Sequence, residues 1–343
     1  MAERILLAHG DGGILTHTLI QELFHKYFTS AELATLSDAA ILPFPAPTNL
    51  LAMTTDSFVV NPLIFPGGDI GKLAIAGTVN DLAVSGATPL YLSAAFILEE
   101  GLDLSQLEKI VASMAATARA AHVKIITGDT KVVEHGRCDG MYINTTGIGM
   151  MQPGIHLGYD KIQPGDQLLI NGGVGEHGVA VLAERAGLSF STPLYSDCAA
   201  LNGLIQDLLA RFGASVKFMR DPTRGGLATT AKEIALSAKF DIWLTDEQIP
   251  VKDEVRGACE LLGLDPLYLA NEGKVMLVVD AQKAEEILSF IRDYYEVNGL
   301  VAGLNSAVIG EIRSGQGRVL LETPLGGTRL LEMLAGAPLP RIC

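Results

Sequence analysis

Strands and helices are predicted to alternate along this 343-residue chain in an irregular order, and this alternation most constrains its fold. A doubly wound parallel sheet would need regularly repeated strand–helix units, whereas here some strands follow one another directly. The chain is long enough for two domains, each with a sizeable core. We therefore predict two α+β halves, joined at residues 152–163.

Hydrophobic periodicity and turn residues locate the individual elements. In the first half we predict helices at residues 17–28, 73–87 and 104–121, and strands at 50–60, 89–99, 123–127 and 141–151. In the second half we predict strands at residues 167–170, 240–244, 274–279, 306–312 and 319–322, and helices ending at Arg185 and Ala238 and spanning 201–212, 254–262 and 281–295.

Composition argues against several classes of protein. A net charge of −14 argues against a nucleic-acid partner, which would need a basic face. No apolar run reaches the length that spans a bilayer, and the N-terminus shows no signal peptide, so we expect a cytoplasmic protein without membrane contact. The four cysteines show no C-x-x-C spacing, which speaks against a structural zinc site, and a disulfide framework is not expected.

Short clusters of glycine beside aspartate are the features of this sequence that best indicate its function. Five aspartates lie at the edges of predicted elements, next to Gly, Pro, Thr or Asn: Asp56, Asp69, Asp81, Asp129 and Asp221. Singly, each fits a cap or a turn, and Asp221 before Pro222 would be the N-cap of a helix. Asn80 and Asp81 interrupt an apolar helix face, and they are either buried with a partner or turned to solvent. Together with Lys72 and Arg224 the aspartates suit Mg-ATP, because Mg²⁺ prefers a few carboxylates, water and phosphate oxygens.

Two further glycine-rich segments could approach a phosphate. Residues 8–13 either cover phosphates with backbone N–H groups or are only mobile. Residues 172–178 lie between a strand and a helix start, an arrangement that presents N–H groups to an anion, although the P-loop pattern is not matched. His177 lies at the helix start in this segment, and a histidine in that position more often has a structural role than a catalytic one.

The last six residues form a candidate reactive tail. Pro338 and Pro340 disfavour helix and sheet, so the tail that ends at Cys343 should be extended and detachable. From Leu334 onward it could span roughly 30 Å at about 3.3 Å per residue, enough to carry a thiol into a site on the same chain. The alternative is an ordinary chain end without a function.

The glycine and aspartate motifs resemble those of the aminoimidazole-ribotide synthetase superfamily, and within it most closely the carbamoyl dehydratases of hydrogenase maturation. The resembling segments are residues 54–57, 68–72, 79–89, 128–133, 220–226, 271–273 and 340–343, and the resemblance covers essentially the whole chain. Its most specific element is the terminal Pro340-Arg341-Ile342-Cys343, because sister enzymes such as selenophosphate synthetase and thiamine-monophosphate kinase lack that tail.

This resemblance implies an α+β, two-domain fold whose N-terminal strands form a barrel across a homodimer. The implied divisions are residues 1–36, a glycine-rich segment and helix; 37–152, an ATP-binding domain; 153–333, a second α+β domain; and 334–343, a flexible tail. The implied partners are a carbamoyltransferase of the HypF type and an iron-carrying complex of the HypC–HypD type.

The resemblance also implies ATP-dependent conversion of an S-carboxamide on Cys343 to an S-cyanate, with ATP and Mg²⁺ as cofactors. Glu272 is then the expected base and Lys131 the residue that orients the carboxamide. Nucleotide binding is expected from Asp56, Asp69, Lys72, Asn80, Asp81, Asp129, Asp221, Arg224 and Gly225, and metal binding from Asp56, Asp81, Asp129 and Asp221. The alternative for Glu272 is a turn carboxylate without a catalytic role.

Two other functions stay open from the sequence. One is a small-molecule ATP-dependent synthetase or kinase of the same superfamily, in which Cys343 is incidental. The other is a carrier that binds nucleotide without turning it over.

Overall fold

The computed structural model describes residues 4–5, 19–29, 50–188, 192–333 and 341–343. Within these ranges the chain forms a four-stranded sheet in the first half and a seven-stranded sheet in the second, each covered by helices. No helix among the described residues has both the length and the apolar content needed to cross a bilayer.

An open sheet with strand order β1-β6-β4-β5 forms the first half. Its strands are β1 (Leu51–Phe58), β4 (Ala87–Glu99), β5 (Lys124–Val133) and β6 (Met141–Met151), with a small hairpin of β2 (Ile64–Phe65) and β3 (Gly68–Asp69). Helices α1 (Ile70–Val84) and α2 (Leu104–Ala120) pack against each other, and α1 also packs on β1 and β6. A short helical segment, Ile20–Phe24 followed by His25–Tyr27, contributes Leu23 and Phe24 to this core.

A mixed sheet with strand order β13-β12-β9-β11-β7-β10-β8 forms the second half. Its strands are β7 (Gln167–Ile170), β8 (Val216–Arg220), β9 (Asp241–Thr245), β10 (Met276–Val279), β11 (Ala307–Arg313), β12 (Val319–Glu322) and β13 (Thr328–Leu331). Its helices are α3 (Glu176–Arg185), α4 (Asn202–Phe212), α5 (Gly226–Ala238), α6 (Asp253–Leu262) and α7 (Ala284–Val297).

Helix α1 joins the two halves. It is apolar on nearly every side, which is typical of a helix that is buried all round. Ala83 at its end belongs to a buried cluster formed mainly by α4 and α7, and the first-half core in turn includes Val181 and Ala270. The halves therefore share apolar core, and a site between them is fixed from both sides.

Several local predictions were wrong. Strand β5 does not end at Thr127 but continues to Val133, paired in parallel with β4. Gly128 is therefore not a strand-end residue: a Cβ there would lie 2.1 Å from the Ala94 carbonyl oxygen, so glycine permits the close pairing. Strands β8 and β13 were not predicted.

The prediction that Asp221 caps a helix was also wrong. Helix α5 begins at Gly226, and its N-cap is Gly225. Both glycines adopt positive φ angles, +74° and +63°, which turn the chain sharply before the helix. Asp221 and Pro222 are thereby left in a loop that faces the other half of the protein.

The first-half sheet is open among the described residues, and no closed barrel is found in this single chain. Strand β1 is an edge strand, and Leu51 and Met53 on it are 49% and 71% exposed. The glycine-rich segment 8–13 and residues 334–340 of the tail lie outside the described residues, so the predictions made for them stay predictions.

Candidate active site

A cavity of about 1310 Å³ lies between the two halves. Its first-half wall comes from β1 and α1, and its second-half wall comes from the end of β8, the loop at residues 220–225 and the loop at residues 270–272. The predicted site residues that line it are Asp56, Asp81, Asp221, Arg224, Gly225, Glu272 and Cys343. The fold thus brings together seven site residues that are spread over the whole sequence.

Three aspartates form a carboxylate cluster in this cavity. Thr54 on β1 donates a hydrogen bond to Asp81 Oδ2 on α1 at 2.8 Å, which fixes the Asp81 side chain. Burial, together with the charges of Asp221 and Asp56, raises the pKa of Asp81 to about 7. Burial and the nearby Asp56 raise the pKa of Asp221 to about 6. The cluster therefore holds more negative charge than its surroundings neutralise, and a bound cation would relieve that repulsion.

Glu272 lies beside this cluster, in a loop that is held rigidly. Asn271 accepts a hydrogen bond from Gly175 N at 2.7 Å and donates to the carbonyl oxygens of Pro222 and Leu269. Asp197 accepts from the backbone N–H groups of Glu272 and Gly273 at 3.1 and 3.2 Å. The backbone of this loop is therefore pinned on both sides of Glu272.

The Glu272 carboxyl group itself has a free acceptor. Its side chain is 3% exposed, and its Oε1 has no hydrogen-bond partner. Burial, followed by the charges of Asp221 and Asp197, raises the pKa of Glu272 well above its usual range. A buried, unpartnered carboxyl group that faces a cavity is suited to exchange a proton with a ligand there.

A buried ion-pair cluster supports the Glu272 loop. Lys274, 1% exposed, pairs with Asp197 at 3.1 Å and with Glu176 at 3.2 Å. These charges hold the pKa of Lys274 above and that of Asp197 below the ordinary values, although burial opposes both shifts. Sequence reasoning did not find this cluster; its one signal is a lysine directly before the apolar run of β10.

The end of the tail is docked in the cavity. Val59 N donates a hydrogen bond to a main-chain carboxylate oxygen of Cys343 at 3.3 Å, and Asn61 N donates one to the carbonyl oxygen of Arg341 at 3.2 Å. Arg341 also pairs with Asp139, and Ile342 is 5% exposed and packs against the first-half core. The last three residues thus lie along the segment that follows β1, as the predicted reach of the tail allows.

Docking changes the chemistry of the Cys343 thiol. Burial raises its pKa to about 12, the Glu272 charge adds to this, and Arg224 opposes it. The docked thiol is therefore neutral at physiological pH and a weak nucleophile. The other cysteines are free as well; Cys198 and Cys259 are buried, and Cys138 is half-buried, as Cys343 itself is.

Five predicted site residues do not line the cavity. Asp69 caps α1 by accepting from Gly71 N and Lys72 N, and Lys72 Nζ donates to the Gly67 carbonyl oxygen at 2.9 Å. Asn80 is buried and tethers residues 199–201 to α1. Asp129 and Lys131 lie on β5, exposed, and pair with each other at 2.8 Å. Their roles toward a nucleotide or a carboxamide stay predictions.

Magnesium fits the site only with help from a ligand. Among the described residues, no three His, Cys, Asp or Glu side chains are grouped closely enough to hold a metal ion by themselves. Mg²⁺ commonly takes only one or two protein carboxylates and completes its shell with water and substrate phosphates. Asp81 and Asp221, whose pKa values are raised by burial and by neighbouring carboxylates, line the cavity and are the carboxylates that such an ion would contact.

Two family models match the chain. The N-terminal domain of AIR synthase related proteins matches residues 36–151, and the C-terminal domain of these proteins matches residues 163–321. Together with the polar cavity between the halves, these matches define the class as a two-domain, AIR-synthase-related protein.

Relatives and solved structures narrow this class. Carbamoyl dehydratase HypE of Azotobacter vinelandii is 47% identical over 338 residues, which cover 98% of this chain and 96% of the relative. A crystal structure of hydrogenase maturation protein HypE in complex with ATP matches with a TM-score of 0.92 at 48% identity, over 98% of this chain and 99% of that one. A HypE–HypF complex matches with a TM-score of 0.78 at 45% identity, over 92% and 99%. The chain belongs to the carbamoyl dehydratase HypE family, which confirms the resemblance seen in the sequence.

Proposed function

We propose that this protein is an ATP-dependent carbamoyl dehydratase, which converts a carboxamide carried on the Cys343 sulfur into a cyanate on the same sulfur. The observation that carries the proposal is the position of Cys343 in one cavity with three aspartates and the buried Glu272. A related HypE has been solved with ATP, and the same cavity is the natural place for the nucleotide here.

Asp56, Asp81 and Asp221 would hold Mg²⁺ together with the phosphates of ATP, and Arg224 and the backbone of Gly225 would contact those phosphates. When bound, the ion would supply positive charge that screens the transferring phosphoryl group and lowers the pKa values of the surrounding carboxyl groups. These residues come from both halves, so nucleotide binding also depends on the packing around α1.

The chemistry needs ATP because an amide oxygen is a poor leaving group. The carboxamide oxygen attacks the γ-phosphorus, the bond from that phosphorus to the bridging oxygen breaks, and ADP leaves. The carbon–oxygen bond then breaks and phosphate leaves, while the amide nitrogen gives up both protons to become the nitrile nitrogen. Phosphoryl transfer of this kind depends mainly on positioning and electrostatics.

Glu272 is the proposed acceptor for one of those protons, and the departing phosphate takes the other. It is buried beside the thiol, and Asp197 and Asn271 fix its loop. Its raised pKa makes it a strong base once it is ionised. Lys131 is proposed to orient the carboxamide, although in this chain it lies on the exposed face of β5.

The proposal includes protein partners. A related HypE has been solved with HypF, and we infer that a HypF-type carbamoyltransferase loads the thiol of this protein. An iron-carrying complex of the HypC–HypD type would receive the cyanide for the active site of [NiFe] hydrogenase. The exposed edge strand β1 supports a homodimer, in which a second copy covers that edge and continues the sheet toward a barrel.

The test is to incubate the protein with the carbamoyltransferase, carbamoyl phosphate, ATP and Mg²⁺, and to measure protein-bound carbamoyl groups and ATP hydrolysis. Cys343→Ala should abolish loading and leave ATP binding intact, and Cys138→Ala is the matched control that should load normally. Loading retained in Cys343→Ala would defeat the proposal. ATP hydrolysis that is independent of Cys343, without any adduct on the protein, would favour a small-molecule synthetase.

A further inference from the structure

His177 is a fully buried histidine at the start of α3, and both of its ring nitrogens have partners. Its Nε2 lies 2.8 Å from the carbonyl oxygen of Ile342, inside the docked tail. Its Nδ1 lies 2.8 Å from Ser196 Oγ. One side chain of the second half therefore contacts the tail one residue before the reactive thiol.

The hydrogen-bond pattern assigns the tautomer of this histidine. The Ile342 carbonyl oxygen can only accept, so Nε2 must carry a hydrogen and donate it. Burial lowers the pKa of His177, which favours the neutral ring. In the neutral ring Nδ1 is then the acceptor, and the Ser196 hydroxyl donates to it. Ser196 Oγ in turn accepts from Cys198 N at 3.0 Å, which completes its hydrogen bonding.

The protein holds Ser196 and His177 in fixed positions. Ser196 N donates to the Pro66 carbonyl oxygen at 2.8 Å. The backbone of Ser196 lies so close to Gly67 that a Cβ on Gly67 would be 2.7 Å from the Ser196 carbonyl oxygen. The Phe65 ring meets the His177 ring edge to face, at 5.4 Å between centroids. The β2–β3 hairpin thus orients the pair that contacts the tail.

We propose that His177 and Ser196 form a latch that holds the tail in the cavity and thereby positions the Cys343 thiol. As a statement about the reaction, this rests on the proposed function. Ser196 donates a hydrogen bond to Nδ1 of His177 and so keeps the ring proton on Nε2. The Nε2–H group in turn donates a hydrogen bond to the Ile342 carbonyl oxygen of the tail. His177 is a positioning residue in this proposal, because it acts on the tail backbone and does not touch the reacting atoms.

The latch acts on two steps with opposite requirements. Loading by a partner enzyme needs the thiol outside the cavity, whereas dehydration needs the carboxamide inside it. A weaker latch therefore exposes the thiol more often and speeds loading when the partner is scarce, without speeding dehydration. A general structural defect would instead slow both steps.

Alkylation of Cys343 by iodoacetamide reports how often the tail leaves the cavity, without carbamoyl chemistry, because the half-buried docked thiol is a weak nucleophile. The background is full-length protein with Cys138→Ser, because Cys138 is half-buried while Cys198 and Cys259 are buried. His177→Leu removes the donor at Nε2, and His177→Gln keeps an N–H donor at nearly the same place. We expect alkylation about fivefold faster in the Leu variant, the effect of one net hydrogen bond, and within about twofold of the parent in the Gln variant.

Activity assays with a limiting carbamoyltransferase give a second readout. Loading should speed up by a similar factor in His177→Leu, and dehydration of protein loaded beforehand should not speed up. Equal alkylation rates in the parent and in His177→Leu would overturn the latch, as would equal acceleration in the Leu and Gln variants.

Ser196→Ala keeps the proposal testable if His177→Leu does not fold, which thermal melting would show. This variant removes the hydrogen bond that fixes the tautomer of His177 but leaves the ring in place. Alkylation should therefore again speed up, by less than in the Leu variant. An unchanged rate in Ser196→Ala overturns the role of the pair. If no carbamoyl adduct forms on any variant, the proposed function fails, while the alkylation rates still decide the latch.

Discussion

The pH dependence of Cys343 reactivity follows from the docked position of the thiol. A detached thiol has a pKa of about 8.5, and burial raises the pKa of the docked thiol to about 12. The free energy that favours the docked tail is therefore largest below about pH 8.5. It falls as pH rises toward 12, because only the detached thiol ionises in this range. In that range each pH unit shifts the ratio of detached to docked tail about tenfold.

This coupling gives the alkylation rate an unusual pH profile. Only the detached thiolate reacts, so as long as the docked form predominates the rate should keep rising tenfold per pH unit through 8.5. Between pH 8.5 and 10 the protein should react about 30-fold faster, whereas a free peptide of residues 338–343 should gain only about twofold. The assay follows iodoacetamide labelling of Cys343 by mass spectrometry, with Cys138→Ser as the background. A protein profile that levels off near pH 8.5 would refute the docked thiol.

Three further changes test the carboxylates and their support. Asp81→Asn should weaken binding of ATP in the presence of Mg²⁺ about tenfold or more, because it removes one charge from the ion's expected position; calorimetry measures this, with the exposed Asp160→Asn as control. Glu272→Gln should leave loading and ATP binding intact and slow dehydration by about 10²- to 10⁴-fold, which the release of phosphate from loaded protein measures. Lys274→Met should destabilise the fold by about 3–5 kcal/mol, because it leaves Asp197 buried without its cation, whereas Glu176 still pairs with Lys252; urea unfolding measures this, with the exposed Lys283→Met as control.

Each of these three predictions has an outcome that would contradict it. If Asp81→Asn binds ATP with unchanged affinity in the presence of Mg²⁺, the ion does not bind at this carboxylate cluster. A Glu272→Gln variant that dehydrates at the normal rate would assign proton removal to another group. Equal unfolding free energies in Lys274→Met and the parent would mean that the buried charges are already compensated by other groups.

Much of the fold could be predicted because its signals are local. Helix α2 was predicted at residues 104–121 and spans Leu104–Ala120, since its apolar residues recur at helical spacing and Asp103 caps its N-terminus. Strand β6 has the predicted bounds because its side chains alternate between the two faces of the sheet and the Pro153-Gly154 turn follows its end. The errors fall where a distant contact overrides the local pattern: Gly128 marks close pairing between strands, and Gly225 and Gly226 start α5 later than Pro222 indicates.

Some residues of the candidate site could likewise be predicted from the sequence, and others could not. Asp56, Asp81 and Asp221 could be named from their sequence settings, and the fold brings them together. Ser196 and Asp197 carried no signal, because their roles depend on His177, Glu272 and Lys274 at long distances along the chain. The sequence also could not show whether the tail rests inside or outside the cavity, since this depends on hydrogen bonds from residues 59–61 and from His177.

The most direct test of the central claim is the intact mass of the protein after incubation with the carbamoyltransferase, carbamoyl phosphate and ATP. We expect a gain of about 43 Da for the carboxamide, which falls to about 25 Da for the cyanate once this protein has used ATP for the dehydration, with both groups carried on one nucleophile. Peptide mapping should place both adducts on Cys343. A partner shown to be active that leaves no adduct, or an adduct on any other cysteine, would contradict the account.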